Sequence, residues 1–196
     1  MNHYYSKNND NLDSNEKIIR VKIFDKNFHF ITDNGVFSKS GLDFGSRLLV
    51  ETVIGINCTD VLDLGCGYGP IGIVYKQFNN NSNVIMSDVN NRALGLARKN
   101  SESNKLDMNI IESDGFELIN QNFDLIITNP PIRTGKKKIY QLFHDSHAHL
   151  NEEGTLIFVI NKQQGAMSAI KFCEGIYNVV NVINKKSGFY IIQCIK

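Results

Sequence analysis

The sequence predicts an α/β protein: a doubly wound, mostly parallel seven-stranded sheet ending in an antiparallel hairpin, with a small N-terminal β-hairpin cap. Three observations predict it. From Thr59 onward, short apolar runs alternate with stretches of helical spacing, the pattern of βαβ units with helices on both faces of a sheet. The tail "YNVVNVINKKSGFYIIQCIK" breaks that alternation and reads as two strands around "NKKSG". The three prolines, Pro70, Pro130 and Pro131, stand at the ends of two apolar runs, where rigid backbone serves a purpose.

Residues 1–16 are polar and read as a flexible arm. "IIRVKIF" and "FHFIT" enclose "DKN" as a hairpin. A helix follows in "SGLDFGSRLLVETVIGI", with Leu48, Leu49, Thr52, Val53 and Ile56 at helical spacing and Asp43 or Ser46 as its cap. Strands are expected at Val61–Leu64, Val84–Ser87, Asn109–Glu112, Phe123–Thr128 and Thr155–Ile160. Helices fit Pro70–Phe78, Asn91–Asn104, Lys138–Leu150 and Gly165–Glu174. This divides the chain into the arm 1–16, a hairpin-and-helix cap 17–57 and a core 58–196, with no linker or repeat between domains. In such a sheet, ligands bind beyond the carboxyl ends of the strands, where both proline segments would lie.

Composition excludes several classes. The 196 residues are 42% hydrophobic and 21% charged, as in ordinary globular proteins. The net charge of +1 is no footprint for long nucleic-acid grooves. The N-terminus lacks the apolar stretch of a secretory signal, and no apolar run approaches the roughly 20 residues that span a bilayer. Cys58, Cys66, Cys173 and Cys194 are scattered, without a CxxC pair, so reduced thiols in a cytoplasmic protein are expected, with no membrane partner. His144, His147 and His149 fall on a surface helix where all three cannot share a face, and no metal is expected there. The sequence leaves the oligomeric state open.

"VLDLGCGYGPIG" is a buried strand running through a glycine turn into a helix. Gly67, Gly69 and Gly72 match the G-x-G-x-x-G of dinucleotide sites, and Asp88 follows at the appropriate distance. Two details oppose a nicotinamide cofactor. Gly65 already closes the strand, which puts the match out of register. Asp63, inside the strand, would face an anionic pyrophosphate, whereas a carboxylate suits a cationic ligand. A bare β–α turn with Asp63 bonded to the loop is the alternative, and it buries a carboxylate at a cost.

With that run, "VLDLGCGYG" resembles motif I of the class I, Rossmann-like methyltransferases that use S-adenosylmethionine, whose sulfonium and ammonium groups are cationic. The resemblance implies a cofactor site built from Asp63, Gly65, Cys66, Gly67 and Gly69. It also implies that Asp88 takes the ribose hydroxyls with Val89 packed on adenine, and that Asp114 accepts from the adenine amine beside Gly115 and Phe116. A carboxylate accepts two hydroxyl protons at once, the physical reason for an acid at Asp88. Helix capping by Asp88 and a plain Asp–Gly turn at Asp114 are the competing readings.

In "FDLIITNPPIRTGKKK", Asn129 and Pro130 each precede a proline, so the Asn129 side chain and the Pro130 carbonyl are stiffly held at a strand end. Neither Pro130 nor Pro131 donates an N–H, and the surface is rich in acceptors. Two acceptors that take both protons of an exocyclic nucleobase amine would turn its delocalised lone pair towards a methyl donor. The run resembles motif IV of the amino-group methyltransferases, which implies Asn129, Pro130 and Pro131 as the catalytic segment, with Asn129 also touching the cofactor.

Ile132 stands where enzymes of adenine or glutamine amines usually carry an aromatic residue. "NPPIRTGK" and the upstream "TDNGVFSKSGLDFGSRLL" resemble the ribosomal small-subunit guanine-N2 methyltransferases, and with "HYYS" the resemblance spans essentially the whole chain. It implies 16S ribosomal RNA or the small subunit as partner. Ile132, Arg133 and Lys136, with Phe37 and Lys39 from the upstream loop, are the expected substrate contacts. Lys137 and Lys138 extend that basic cluster, which a solvated helix start would also explain. Another amine, in DNA, transfer RNA or a protein glutamine, and a non-catalytic ribosome-binding module are the rival readings.

Overall fold

A computed structural model describes residues 13–196. The polar arm and "HYYS" therefore lie largely outside the described residues. The last of the arm is tied to the body: the Ser14 hydroxyl and Asn15 N–H donate to Asp33, and Glu16 pairs with Lys99.

Strands β1 (Lys17–Ile23) and β2 (Lys26–Thr32) form a separate antiparallel hairpin. Its turn is only Phe24–Asp25, shorter than "DKN" implied, with Phe24 at φ 50°. Helix α1 (Phe44–Val53) follows, capped by Asp43, whose Oδ1 accepts from the Ser46 N–H at 3.0 Å. Next come β3 (Asp60–Leu64), α2 (Pro70–Phe78), β4 (Asn83–Asp88), α3 (Asn91–Ser103) and β5 (Asn109–Glu112). β6 (Phe123–Thr128), α4 (Lys136–Ala148), β7 (Leu150–Asn161), α5 (Ala166–Cys173), β8 (Val179–Lys186) and β9 (Phe189–Ile195) complete the chain.

The sheet runs β5-β4-β3-β6-β7-β9-β8, with β9 antiparallel to both its neighbours and every other pairing parallel. Strand order therefore reverses between β3 and β6, and ligand crevices open at the carboxyl ends beside such a reversal. Alternate residues of each central strand face opposite layers. Val61, Met86, Leu125 and Ile127 pack under the helices α1, α2 and α3, while Leu62, Leu64, Ile126 and Phe158 pack under α4 and α5. The N-terminal hairpin is clasped to this body by the buried Asn100. It accepts from the Ile31 N–H and donates to the carbonyls of Ile31 and Tyr68, so one side chain links β2 to the glycine loop.

Element bounds differ from the sequence reading by a residue or more in several places, and three of these have a clear cause or consequence. α4 starts at Lys136 because Gly135, at φ 93°, turns the chain into it. β7 begins at Leu150, with a register shift between Phe123 and Leu125 on its partner β6. The C-terminal turn narrows to Ser187–Gly188, both at positive φ, as a tight hairpin requires.

Gly72 leaves no room for a side chain where α2 packs against β4. A Cβ there would stand 2.7 Å from Met86 Sδ and 3.0 Å from Asp63 Oδ2. Gly72→Ala is expected to destabilise the fold by about 1–3 kcal/mol through overpacking, read as a lowered melting temperature. An unchanged melt would show that Met86 yields without cost.

Candidate active site

The glycine loop is pinned before it reaches any ligand. The N–H groups of Gly65 and Cys66 both donate to the Ser87 carbonyl, at 2.8 and 2.9 Å, locking the end of β3 to β4. Gly65, Gly67 and Gly69 take φ of 73°, 57° and 89°, and Gly69 then caps α2 with Pro70 in its first turn. Asp63 is 1% exposed, and its Oδ2 accepts from the Gly72 N–H at 2.8 Å. Its Oδ1 is buried without a hydrogen-bond partner among the described residues. Burial pushes this carboxyl up to about 7, against the pull of the Gly72 N–H and with a further push from Asp88. A buried carboxylate oxygen lacking a donor suits a cation.

Asp88 ends β4 and does not cap α3; Asn90 does, accepting from the Ala93 N–H. Asp88 holds the loop by accepting from Gly67 N–H and Asn90 N–H, both at 2.8 Å. Burial raises its carboxyl above the usual range, opposed by those N–H groups. Each oxygen keeps a further lone pair for a hydroxyl.

Two cavities meet at Gly65 and Asp88. The larger, about 470 Å³, is walled by Val89, Asp114, Gly115, Phe116 and Pro131 among others. At its mouth the Asp114 carboxylate pairs with Lys138 of α4 at 2.9 Å, both half exposed. Lys138 is thus engaged with Asp114. His149, read from sequence as surface, lines this cavity with its ring stacked on Phe116 at 4.3 Å. No cluster of metal-ligating side chains occurs among the described residues.

The smaller cavity, about 350 Å³, brings together Cys66, Gly67, Asn129, Pro130, Ile132, Arg133 and Phe37. Asp63 and Gly69 stand behind the loop rather than on either wall, and Lys136 and Lys39 also lie off both walls. The Lys136 ammonium sits over the Tyr140 ring at 5.8 Å, and Lys39 donates to Asn34.

Sequence reasoning missed Ser46 here, having weighed it only as a cap. It is buried in the first turn of α1, and its Oγ accepts from Asn129 Nδ2 at 2.9 Å, across 83 residues. That bond orients the amide and leaves Asn129 Oδ1 as the remaining acceptor. The Pro131 carbonyl is taken by Thr134 through both its N–H and its hydroxyl. No donor among the described residues reaches the Pro130 carbonyl. Its position after β6, between β3 and β7, puts this acceptor pair at the sheet's reversal.

Residues 27–193 match the sequence model of the methyltransferase small domain. The chain belongs to the methyltransferase small domain family. The uncharacterized protein YbxB of Bacillus subtilis is 42% identical over 99% of this chain and 98% of its own length. Ribosomal RNA small subunit methyltransferase C of Haemophilus influenzae is 40% identical over 65% of this chain, which spans only 40% of that relative. Among solved structures, the T. thermophilus 16S rRNA N2 methyltransferase RsmC, in complex with AdoMet and guanosine, superposes with a TM-score of 0.84. It is 23% identical, over 94% of this chain and 52% of that one, a likeness of fold. The seven-stranded sheet is accordingly that of the class I methyltransferase fold. The residues fit S-adenosylmethionine: Gly65 and Asp88 stand where the two cavities join, and behind the loop Asp63 keeps a buried carboxylate oxygen without a donor among the described residues, which suits a cationic ligand across the loop. Among the described residues, no helix is long and apolar enough to cross a membrane.

Proposed function

We propose that this chain transfers a methyl group from S-adenosylmethionine to the exocyclic N2 amine of a guanine in 16S ribosomal RNA. The observation that carries the reading is the acceptor pair on the smaller cavity: Asn129 Oδ1, its amide held by Ser46, beside the unclaimed Pro130 carbonyl. Together they accept both amine protons and favour a tetrahedral nitrogen whose lone pair leaves the base plane. Bound S-adenosylmethionine supplies a sulfonium methyl whose leaving thioether is already activated. Asp63, the glycine loop, Asp88, Val89 and the Asp114–Phe116 turn hold the cofactor. Catalysis is then chiefly placement, a term that contributes roughly 7–11 kcal/mol when geometry is good.

Ribosomal RNA is favoured by "NPPIRTGK", by Ile132 in place of an aromatic residue and by the names of the relatives. Arg133 and Phe37 line the cavity as phosphate and base contacts. The near-neutral net charge favours a structured particle over naked RNA as substrate.

The test is transfer of labelled methyl to isolated small ribosomal subunits, naked 16S RNA, DNA and total protein in parallel. Label recovered as N2-methylguanine in RNA is the expected result. Label in DNA or protein would retain the chemistry and remove the ribosomal substrate. Cofactor binding without any transfer would favour a binding module.

Ser46 acts through Asn129 as a positioning residue. Ser46→Ala is expected to lower kcat about three- to tenfold, the worth of one neutral hydrogen bond, with KM for the cofactor unchanged. Ser46→Thr, which keeps the hydroxyl, restores the rate. Equal kcat in Ser46→Ala and wild type would remove this role.

A further inference from the structure

We propose that Asp43 selects guanine by accepting its ring N1–H, as the third acceptor of an array that continues through Asn129 Oδ1 and the Pro130 carbonyl. The inference rests on the guanine-amine reading above and deepens it. Guanine presents an N1–H next to its exocyclic amine, three N–H protons on neighbouring atoms of one edge. Adenine and cytosine carry an acceptor nitrogen beside the amine, and a glutamine amide offers the amine alone. Two acceptors hold any of these amines. A third, adjacent acceptor distinguishes guanine.

Asp43 is built into the wall that the array requires. It lines the same cavity as Asn129 and Pro130. Its Oδ1 accepts from Ser46 N–H at 3.0 Å, and Ser46 Oγ accepts from Asn129 Nδ2 at 2.9 Å, so carboxylate and amide are joined through one residue. Its Oδ2 has only a long 3.4 Å contact with the Ser38 hydroxyl, which leaves it able to take a closer donor. The surroundings suit a flat base. A Cβ on Gly45 would stand 3.0 Å from the Phe189 ring and 3.2 Å from Asp43 Oδ1, so bare backbone brings ring and carboxylate together. Phe37, 42% exposed, lines the same cavity. Aromatic faces of this kind stack on bases.

Helix capping accounts for Oδ1 alone, and asparagine caps as well as aspartate. Asp43→Asn separates the two roles. Its amide oxygen keeps the Ser46 N–H, while its NH2 turns a donor into the cavity in place of an acceptor. The probe pair is guanosine and 2-aminopurine riboside, which retains the 2-amino group but has an acceptor at N1. Affinities are measured on protein saturated with S-adenosylhomocysteine, following 2-aminopurine fluorescence directly and guanosine by competition. Wild type is expected to prefer guanosine, on the order of tenfold to a hundredfold. Asp43→Asn is expected to lose or reverse that preference, with its melting temperature and cofactor affinity at wild-type levels.

Equal affinities in the wild type, no binding of either riboside, or an unchanged preference in Asp43→Asn would each overturn the proposal. Failure of the ribosomal assignment reads differently. Wild type would then label no RNA in the transfer assay, yet the guanosine preference and its loss in Asp43→Asn would stand.

Discussion

Asn129→Ala is expected to lower the rate of methyl transfer roughly a hundred- to a thousandfold, the usual consequence of removing one preorganised polar group from a reacting centre. The loss is expected in kcat. Alanine removes the acceptor for one amine proton, leaving the lone pair delocalised into the base, and strips Ser46 Oγ of its donor. The glycine loop is untouched, because its bonds run to Ser87 and Asp88. Cofactor affinity, measured by calorimetry, is therefore expected to change far less than kcat. A variant with near-wild-type kcat would remove Asn129 from the reacting centre. A large loss of cofactor affinity with kcat preserved would confine it to cofactor binding. Asn129→Asp is a sharper probe, since it keeps an oxygen but cannot donate to Ser46.

The second large effect concerns Asp63. Burial lifts its carboxyl from 3.8 to about 7. Between about pH 4 and pH 7 the folded, cofactor-free chain therefore keeps a proton that the unfolded chain has released. The unfolded state binds fewer protons across that window, so this group's contribution to stability falls as pH rises through it and levels off above pH 7. A cationic group bound across the glycine loop from Asp63 favours the carboxylate, and binding then expels the proton. Calorimetry in buffers of different ionisation enthalpy is expected to show close to one proton released at about pH 6 and little at about pH 8. Asp63→Asn is expected to abolish that release and weaken cofactor binding roughly tenfold to a hundredfold, the worth of a charge-assisted bond. At about pH 8 the cofactor-free variant is expected to melt no lower than wild type, because it buries no charge. Binding by wild type without proton release, or full affinity in the variant, would show that Asp63 serves only the loop.

The features legible in the sequence were those carried by local patterning. Short apolar runs from Val61 to Ile160 located the parallel strands, because burial on both faces keeps most of their positions apolar. Glycines at 65, 67 and 69 marked a turn requiring positive φ, and two prolines after Asn129 marked stiff backbone. Boundaries were less legible where the signal was weak. Lys136 and Lys137 suit a helix or a solvated loop equally, and only Gly135 decides where α4 starts. After the buried Leu150, residues Asn151, Glu152 and Glu153 of β7 are polar and lie towards solvent, so "NEEG" carried no strand pattern.

What the sequence determined by itself is the order of elements, the glycine turn after Asp63 and the stiff Asn-Pro-Pro run after β6, since each depends on residues adjacent along the chain. Tertiary structure alone decided the partner of the Asn129 amide. Ser46 sits in the first turn of a helix more than eighty positions upstream, just after its N-cap Asp43, in a pattern that reads as ordinary capping. His149 reads as surface helix until the fold stacks it on Phe116, and Lys138 reads as a solvated charge until it meets Asp114. Local periodicity records which face of an element is buried, whereas the identity of the residue across a cavity depends on how the sheet and its crossovers close, and no short stretch of sequence contains that.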